Sequence, residues 1–78
     1  MMESTVKLNS IDDVKEFCAL TNACKFDIDL LSGRYAVDAK SIMGIFSLDL
    51  TKSLKVVIHA DAETAEDFLD EAKKFIAE

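Results

Sequence analysis

Proline is absent from the sequence, and no stretch is repeated or dominated by a few residue types. Linkers between domains are commonly rich in proline, glycine or serine. No such segment divides the 78 residues into parts. A chain of this length buries only about 60% of its unfolded surface when it folds. We therefore expect a single small domain over residues 1–78, with modest stability.

Cysteines and long apolar runs are also scarce, and basic residues are outnumbered by acidic ones, 9 to 15. Cys18 and Cys24 are too few for a disulfide framework and lack metal-site spacing, so free thiols in a reducing compartment are expected. The net charge of −6 opposes binding to nucleic acid or to anionic membranes. No apolar run reaches the length of a signal peptide or a membrane span. These absences predict a cytoplasmic protein without nucleic-acid or membrane partners.

Half of the residues are hydrophobic, and their periodicity predicts strands and helices in turn. Ser10 and Asp61 are the predicted N-caps of the first and last helices, because a side-chain oxygen there can accept from free backbone amides. The predicted elements, in chain order, are a strand Thr5–Leu8 after a frayed start, a helix Ile11–Asn22, strands Lys25–Leu30 and Tyr35–Asp38, a helix from Ser41 to Leu48, a strand Lys55–His59, and a helix with an unbroken apolar stripe to Ile76.

These elements predict an α+β fold. Four strands with one apolar face cannot cover that face alone, so the three helices should pack together on one side of the sheet. The residues expected to form the core between sheet and helices are Val6, Phe17, Phe26, Ile28, Val56, Ile58, Phe68, Leu69 and Ile76.

The stretch around the central helix is the most informative part of the chain. Ser41 has the character of an N-cap, and Ile42, Ile45 and Phe46 follow at helical spacing, so they form one apolar face. Met43 falls outside that face. An exposed methionine beside a helix start indicates a contact surface, although methionine also fills gaps in cores.

The run Lys-Ser-Ile-Met-Gly-Ile-Phe-Ser-Leu at residues 40–48 resembles the segment around the regulatory serine of HPr, the histidine-containing phosphocarrier family of the bacterial sugar phosphotransferase system. The resemblance implies an HPr-like open-faced β-sandwich with element order β-α-β-β-α-β-α. In that fold the antiparallel sheet has strand order 1-4-2-3, and three helices cover one face.

The segment that carries the phosphoacceptor in that family differs here. Asp12 occupies the expected phosphohistidine position, Val14 stands where an arginine would bind the phosphoryl oxygens, and Lys15 stands where a proline is usual. Asp49 replaces a glycine that is usual at the end of the second helix. The joint replacement implies that phosphohistidine is not carried.

The resemblance therefore implies a carrier-type or regulatory protein rather than a catalyst, with no cofactor and no metal. Ser41 is the expected site of regulatory phosphorylation, and Ile42, Met43 and Phe46 are the expected partner-binding residues. The implied partners are proteins of the phosphotransferase system or a serine kinase.

Two alternatives stay open. One is an active phosphocarrier that uses Asp12 or His59 as a non-standard acceptor, and the other is a diverged domain that binds an unrelated protein. The simpler interpretation of Asp12 and Asp13 is that carboxylates favour the positive end of a helix. His59 is the only histidine and is interpreted as an ordinary sheet residue.

Overall fold

The computed structural model describes residues 1–77. Its elements, in chain order, are β1 (Met2–Val6), α1 (Ile11–Asn22), β2 (Ile28–Ser32), β3 (Tyr35–Asp38), α2 (Ile42–Phe46), β4 (Leu54–Ile58) and α3 (Ala62–Glu71), followed by a 3-10 turn at Lys73–Phe75. Within these residues no helix is long and apolar enough to cross a membrane.

The strands form one antiparallel sheet in the order β1-β4-β2-β3. This confirms the predicted α+β class and strand order. Ser32 pairs directly with Tyr35, so a two-residue turn of Gly33 and Arg34 joins β2 to β3. Gly33 has a φ of 59°, a left-handed conformation that such tight turns require and that glycine adopts without strain.

Side-chain hydrogen bonds at the helix starts confirm three predicted N-caps. Ser10 accepts from the amide of Asp13, Ser41 from the amide of Gly44, and Asp61 from the amide of Thr64. Each bond satisfies one of the amides that a helix start leaves without an intrahelical partner.

Three predicted strand ranges were wrong at their ends. The last strand was predicted as Lys55–His59, but β4 spans Leu54–Ile58. Thr5–Leu8 was predicted as the first strand after a frayed start, but β1 begins at Met2 because it pairs with β4 from Met2 opposite Ile58 to Val6 opposite Leu54. Lys25–Leu30 was predicted as the second strand, but β2 begins at Ile28, where its pairing with β4 starts.

The predicted unbroken helix to Ile76 was also wrong. α3 ends at Glu71, and Ile76 instead bridges to Val6 at the edge of the sheet. The amide of Ala77 donates to the carbonyl of Thr5 over 2.8 Å, which ties the chain end to β1. Because Ile76 pairs with β1, the chain after Glu71 does not continue as an α-helix, although its apolar residues have helical spacing.

The core lies between one sheet face and the helices. Six predicted core residues are buried, namely Val6, Phe17, Ile28, Val56, Ile58 and Phe68. The other three, Phe26, Leu69 and Ile76, are half-buried and pack against the core. The rings of Phe68 and Phe75 each meet Phe17 edge to face, at centroid distances of 6.1 Å and 5.7 Å.

Candidate functional site

Ser41 lies exposed at the start of α2, as predicted. Its Oγ accepts from the amide of Gly44 at 3.1 Å, and its carbonyl accepts from the amide of Ile45 at 3.0 Å. The helix is shorter than the predicted Ser41–Leu48, because it spans only Ile42–Phe46. The hydroxyl therefore sits at an accessible helix end, where it holds the first turn together.

The segment that leads into Ser41 is fastened to the end of α1. The Oγ1 of Thr21 donates to the carbonyl of Ala39 at 2.7 Å, and the Nδ2 of Asn22 donates to the carbonyl of Lys40 at 2.9 Å. In return, the Nζ of Lys40 donates to the carbonyl of Cys24 at 2.9 Å. These bonds set the position of Ser41 relative to α1.

The role of Thr21 and Asn22 was not predicted from the sequence. Thr21 is fully buried on α1, beside the buried Val14, Phe17 and Cys18 of the same helix. A threonine buried in an apolar stripe must find a hydrogen-bond partner for its hydroxyl. That requirement is the one feature of the sequence that could have revealed the contact.

Gly44 allows α2 to pack closely against β3. A Cβ at this position would come within 3.3 Å of the Oγ of Ser41 and within 3.3 Å of the Cβ of Val37 on β3. Contacts of that length are tighter than side chains normally make. The glycine in the Lys-Ser-Ile-Met-Gly run thus keeps the Ser41 cap and the packing of α2 against β3 compatible.

Four exposed apolar side chains lie on α2 or at the start of α1, which packs beside it, and we refer to Ile11, Ile42, Met43 and Phe46 as the apolar surface beside Ser41. These side chains are 62%, 37%, 77% and 40% exposed, respectively. Ile11 and Phe46 line one shallow depression between the start of α1 and the end of α2. Exposed apolar side chains grouped in this way are typical of protein-binding sites.

Burial differs among the apolar residues of these two helices. Ile42, Ile45 and Phe46 were predicted to form one apolar face of the central helix, and of these three only Ile45 is buried. Ile11 is also exposed, one turn before the buried Val14.

The start of α1 presents two carboxylates. Asp13 accepts from the amide of Asn9 at 2.9 Å and donates its own amide to the Oγ of Ser10, so its side chain is part of the helix cap. Asp12 is exposed in the first turn. Residues 1–77 contain no group of three or more His, Cys, Asp or Glu side chains placed to hold a metal ion.

The two positions that follow differ sharply in exposure. Val14 is fully buried, whereas Lys15 is exposed. A buried valine cannot supply the cationic contact that the resemblance assigns to an arginine. Lys15 is the one cation in this first part of α1.

His59 has a partner that the sequence did not indicate. Its Nε2 lies 2.8 Å from the Oδ2 of Asp29, and both side chains are partly exposed. Asp27 and Asp38 line the same depression. Asp29 alternates with the buried Ile28 and Leu30 along β2, so this group lies on the sheet face opposite the core. Three carboxylates around one imidazole would repel a phosphate group.

Hydrogen bonds also shape the loop after α2. The Oγ1 and amide of Thr51 both donate to Asp49, and they lower the pKa of its carboxyl below the ordinary value. Asp49 thus organises the turn at the position where the resemblance expects a glycine.

Both cysteines are free, as predicted. Burial raises the pKa of the Cys24 thiol, although the nearby positive charge of Lys40 opposes this shift.

Comparison with known proteins identifies one family. The family model described as "PTS HPr component phosphorylation site" matches residues 13–78. No curated protein sequence matches the chain.

Two solved structures have the same fold. One is HPr-C-His from Thermoanaerobacter tengcongensis, with 25% identity, a TM-score of 0.74, and coverage of 91% of this chain and 89% of that chain. The other is the phosphocarrier protein HPr from Bacillus anthracis str. Ames, with 21% identity, a TM-score of 0.74, and coverage of 97% and 96%. The second likeness concerns the fold alone.

Proposed function

Because this chain belongs to the PTS-HPr family, whose members work with proteins of the phosphotransferase system, we propose that it acts there as a regulatory or protein-binding module and not as a phosphohistidine carrier or a catalyst. In this proposal the whole chain is one HPr-like domain in the cytoplasm. The contact surface comprises Ser41 and the apolar surface beside it, and the partners are proteins of the system or a serine kinase.

The observation that carries the proposal is the exposed Ser41 hydroxyl beside an exposed apolar surface. Of the six large hydrophobic side chains exposed in the described part of the chain, four form that surface. A phosphate on Ser41 would add about −1.5 to −2 charges next to it. The oxygen that accepts from the Gly44 amide would remain, so the charge of the contact surface would change without loss of the cap.

The start of α1 supports the absence of phosphohistidine transfer. Asp12 and Asp13 bring negative charge to the expected phosphoryl position, and the buried Val14 offers no cation to it. Phosphoryl oxygens need cationic or amide donors to be stabilised. Losing the histidine and the arginine together removes both the acceptor and its support.

The first test is incubation with Enzyme I and phosphoenolpyruvate, followed by measurement of the intact mass. We expect no added phosphate on this protein under conditions in which an HPr control is fully phosphorylated. A stoichiometric gain of one phosphate would overturn this part of the proposal. The variants Asp12→Asn and His59→Ala would then show which of the two alternative acceptors is used.

The second test is labelling with an HPr-type serine kinase and ATP. The matched variants are Ser41→Ala and Ser47→Ala, because both serines are exposed and both hydroxyls bond within α2. We expect label on the wild type and on Ser47→Ala, and none on Ser41→Ala. If an HPr control is labelled and this protein is not, Ser41 is a helix cap only, and a diverged binding partner becomes the better hypothesis.

A further inference from the structure

A second candidate site lies at the other end of α2, in a cleft of about 400 Å³. One wall is the β2–β3 turn, residues 32–35, and the other is the end of α2 with the following loop, residues 47–49 and Lys52. This volume lies within the range of small-molecule sites. The two walls come from segments distant in the chain, so the cleft exists only in the folded protein.

Two cations, Arg34 and Lys52, line this cleft. Within residues 1–77, neither Arg34 nor Lys52 forms an ion pair, whereas Lys55 pairs with Glu3 and Lys74 pairs with Glu16. Arg34 is the only arginine in the chain. Both side chains are exposed and therefore available to an incoming anion.

Among the described residues that line the cleft, Asp49 is the one carboxylate, and it already accepts hydrogen bonds. Asp49 accepts from both the amide and the hydroxyl of Thr51, and its negative charge also attracts the nearby Lys52 and Lys7. With one Asp against one Arg and one Lys, the cleft carries a net positive charge in a protein whose overall charge is −6. A cleft with a net positive charge attracts anions and raises their local concentration.

The cleft also offers a flat apolar surface. Tyr35 begins β3 beside the turn, and 74% of it is exposed. Leu48, which is 8% exposed, lies in the lining opposite. An exposed aromatic ring stacks favourably against another planar ring.

From the two exposed cations and the exposed aromatic ring, we propose that the cleft binds a small phosphate monoester that carries a flat ring. The guanidinium of Arg34 matches two phosphate oxygens with parallel N–H donors, and the ammonium of Lys52 supplies a second charge for the dianion. The ring of the ligand stacks on Tyr35. This site is separate from Ser41 and does not depend on the function proposed above.

The test is a titration of the 15N-labelled full chain at low ionic strength, in which binding is measured from the NMR chemical shifts of the backbone amides. The probes are adenosine 5′-monophosphate, inorganic phosphate and adenosine. We expect saturable shifts in residues 32–35 and 47–52 with the monophosphate, weaker binding of phosphate, and none of adenosine. Arg34→Gln and Lys52→Gln should each weaken monophosphate binding by about tenfold.

Two further variants separate the ring contact from general charge effects. Tyr35→Ala should weaken binding of the monophosphate but not of inorganic phosphate. Lys55→Gln removes the same charge from β4, outside the cleft, and should change affinity by less than about twofold. The proposal is wrong if no saturable shifts arise in the cleft, if adenosine binds as well as the monophosphate, or if Lys55→Gln weakens binding as much as Arg34→Gln.

Discussion

At the scale of single residues, Thr21 helps to set the position of Ser41. It is fully buried, and its hydroxyl donates to the carbonyl of Ala39, two residues before the serine. Thr21→Val keeps the shape but leaves that buried carbonyl without its donor. We expect the free energy of unfolding to fall by about 1–3 kcal/mol, measured by urea denaturation.

The control for this prediction is Thr5→Val on β1, where the threonine is only half-buried and a branched side chain suits the strand. That change should alter the free energy of unfolding by no more than about 0.5 kcal/mol. Equal effects of the two substitutions would show that the Thr21 bond does not fasten the Ser41 segment to α1.

At the scale of elements, each helix depends on its first turn, and α3 makes that dependence measurable through pH. The Thr64 amide bond to Asp61, reinforced by the Thr64 side chain, holds the pKa of the Asp61 carboxyl below its ordinary value of 3.8. A lowered pKa in the folded state means that the carboxylate stabilises the fold above about pH 4. That contribution is lost as the pH falls through the folded-state pKa.

We therefore expect the stability difference between wild type and Asp61→Asn to shrink as the pH is lowered from 6 to below 3.8, measured by thermal unfolding across that range. Asp67→Asn removes the same charge from the exposed side of α3, away from its first turn. A difference that stays constant into acid for Asp61→Asn would mean that its carboxylate does not cap α3 in solution.

At the scale of the whole molecule, the edge-to-face aromatic rings join elements that are far apart in the chain. Phe68 of α3 contacts Phe17 of α1. The ring of Phe26, just before β2, also meets the ring of Phe68, at a centroid distance of 6.5 Å. Phe68→Ala should lower the free energy of unfolding by about 3–5 kcal/mol, because the small core cannot collapse around the cavity. Denaturant unfolding measures the change.

Tyr35→Ala is the matched aromatic control, because its side chain is 74% exposed. It should be close to neutral for stability, within about 0.5 kcal/mol. A near-neutral Phe68→Ala would instead mean that α3 packs on the sheet in a different register.

The sequence by itself determined the features that depend on neighbouring residues. The bounds of α1 and β3 and the caps at Ser10, Ser41 and Asp61 all agree with prediction. Caps and amphipathic periodicity act within one turn of helix or one strand, so the local pattern is sufficient. The strand order followed from the family resemblance, and not from periodicity.

The tertiary structure alone decided the features that need a partner from elsewhere in the chain. Pairing with β4 sets the start of β1. The bridge between Val6 and Ile76 places Ile76 beside the sheet and not in the last helix. Contacts between Thr21 and Ala39, and between His59 and Asp29, cross 18 and 30 residues, respectively. No sequence spacing specifies such contacts, because the register of the sheet and the packing of helices on it bring these residues together.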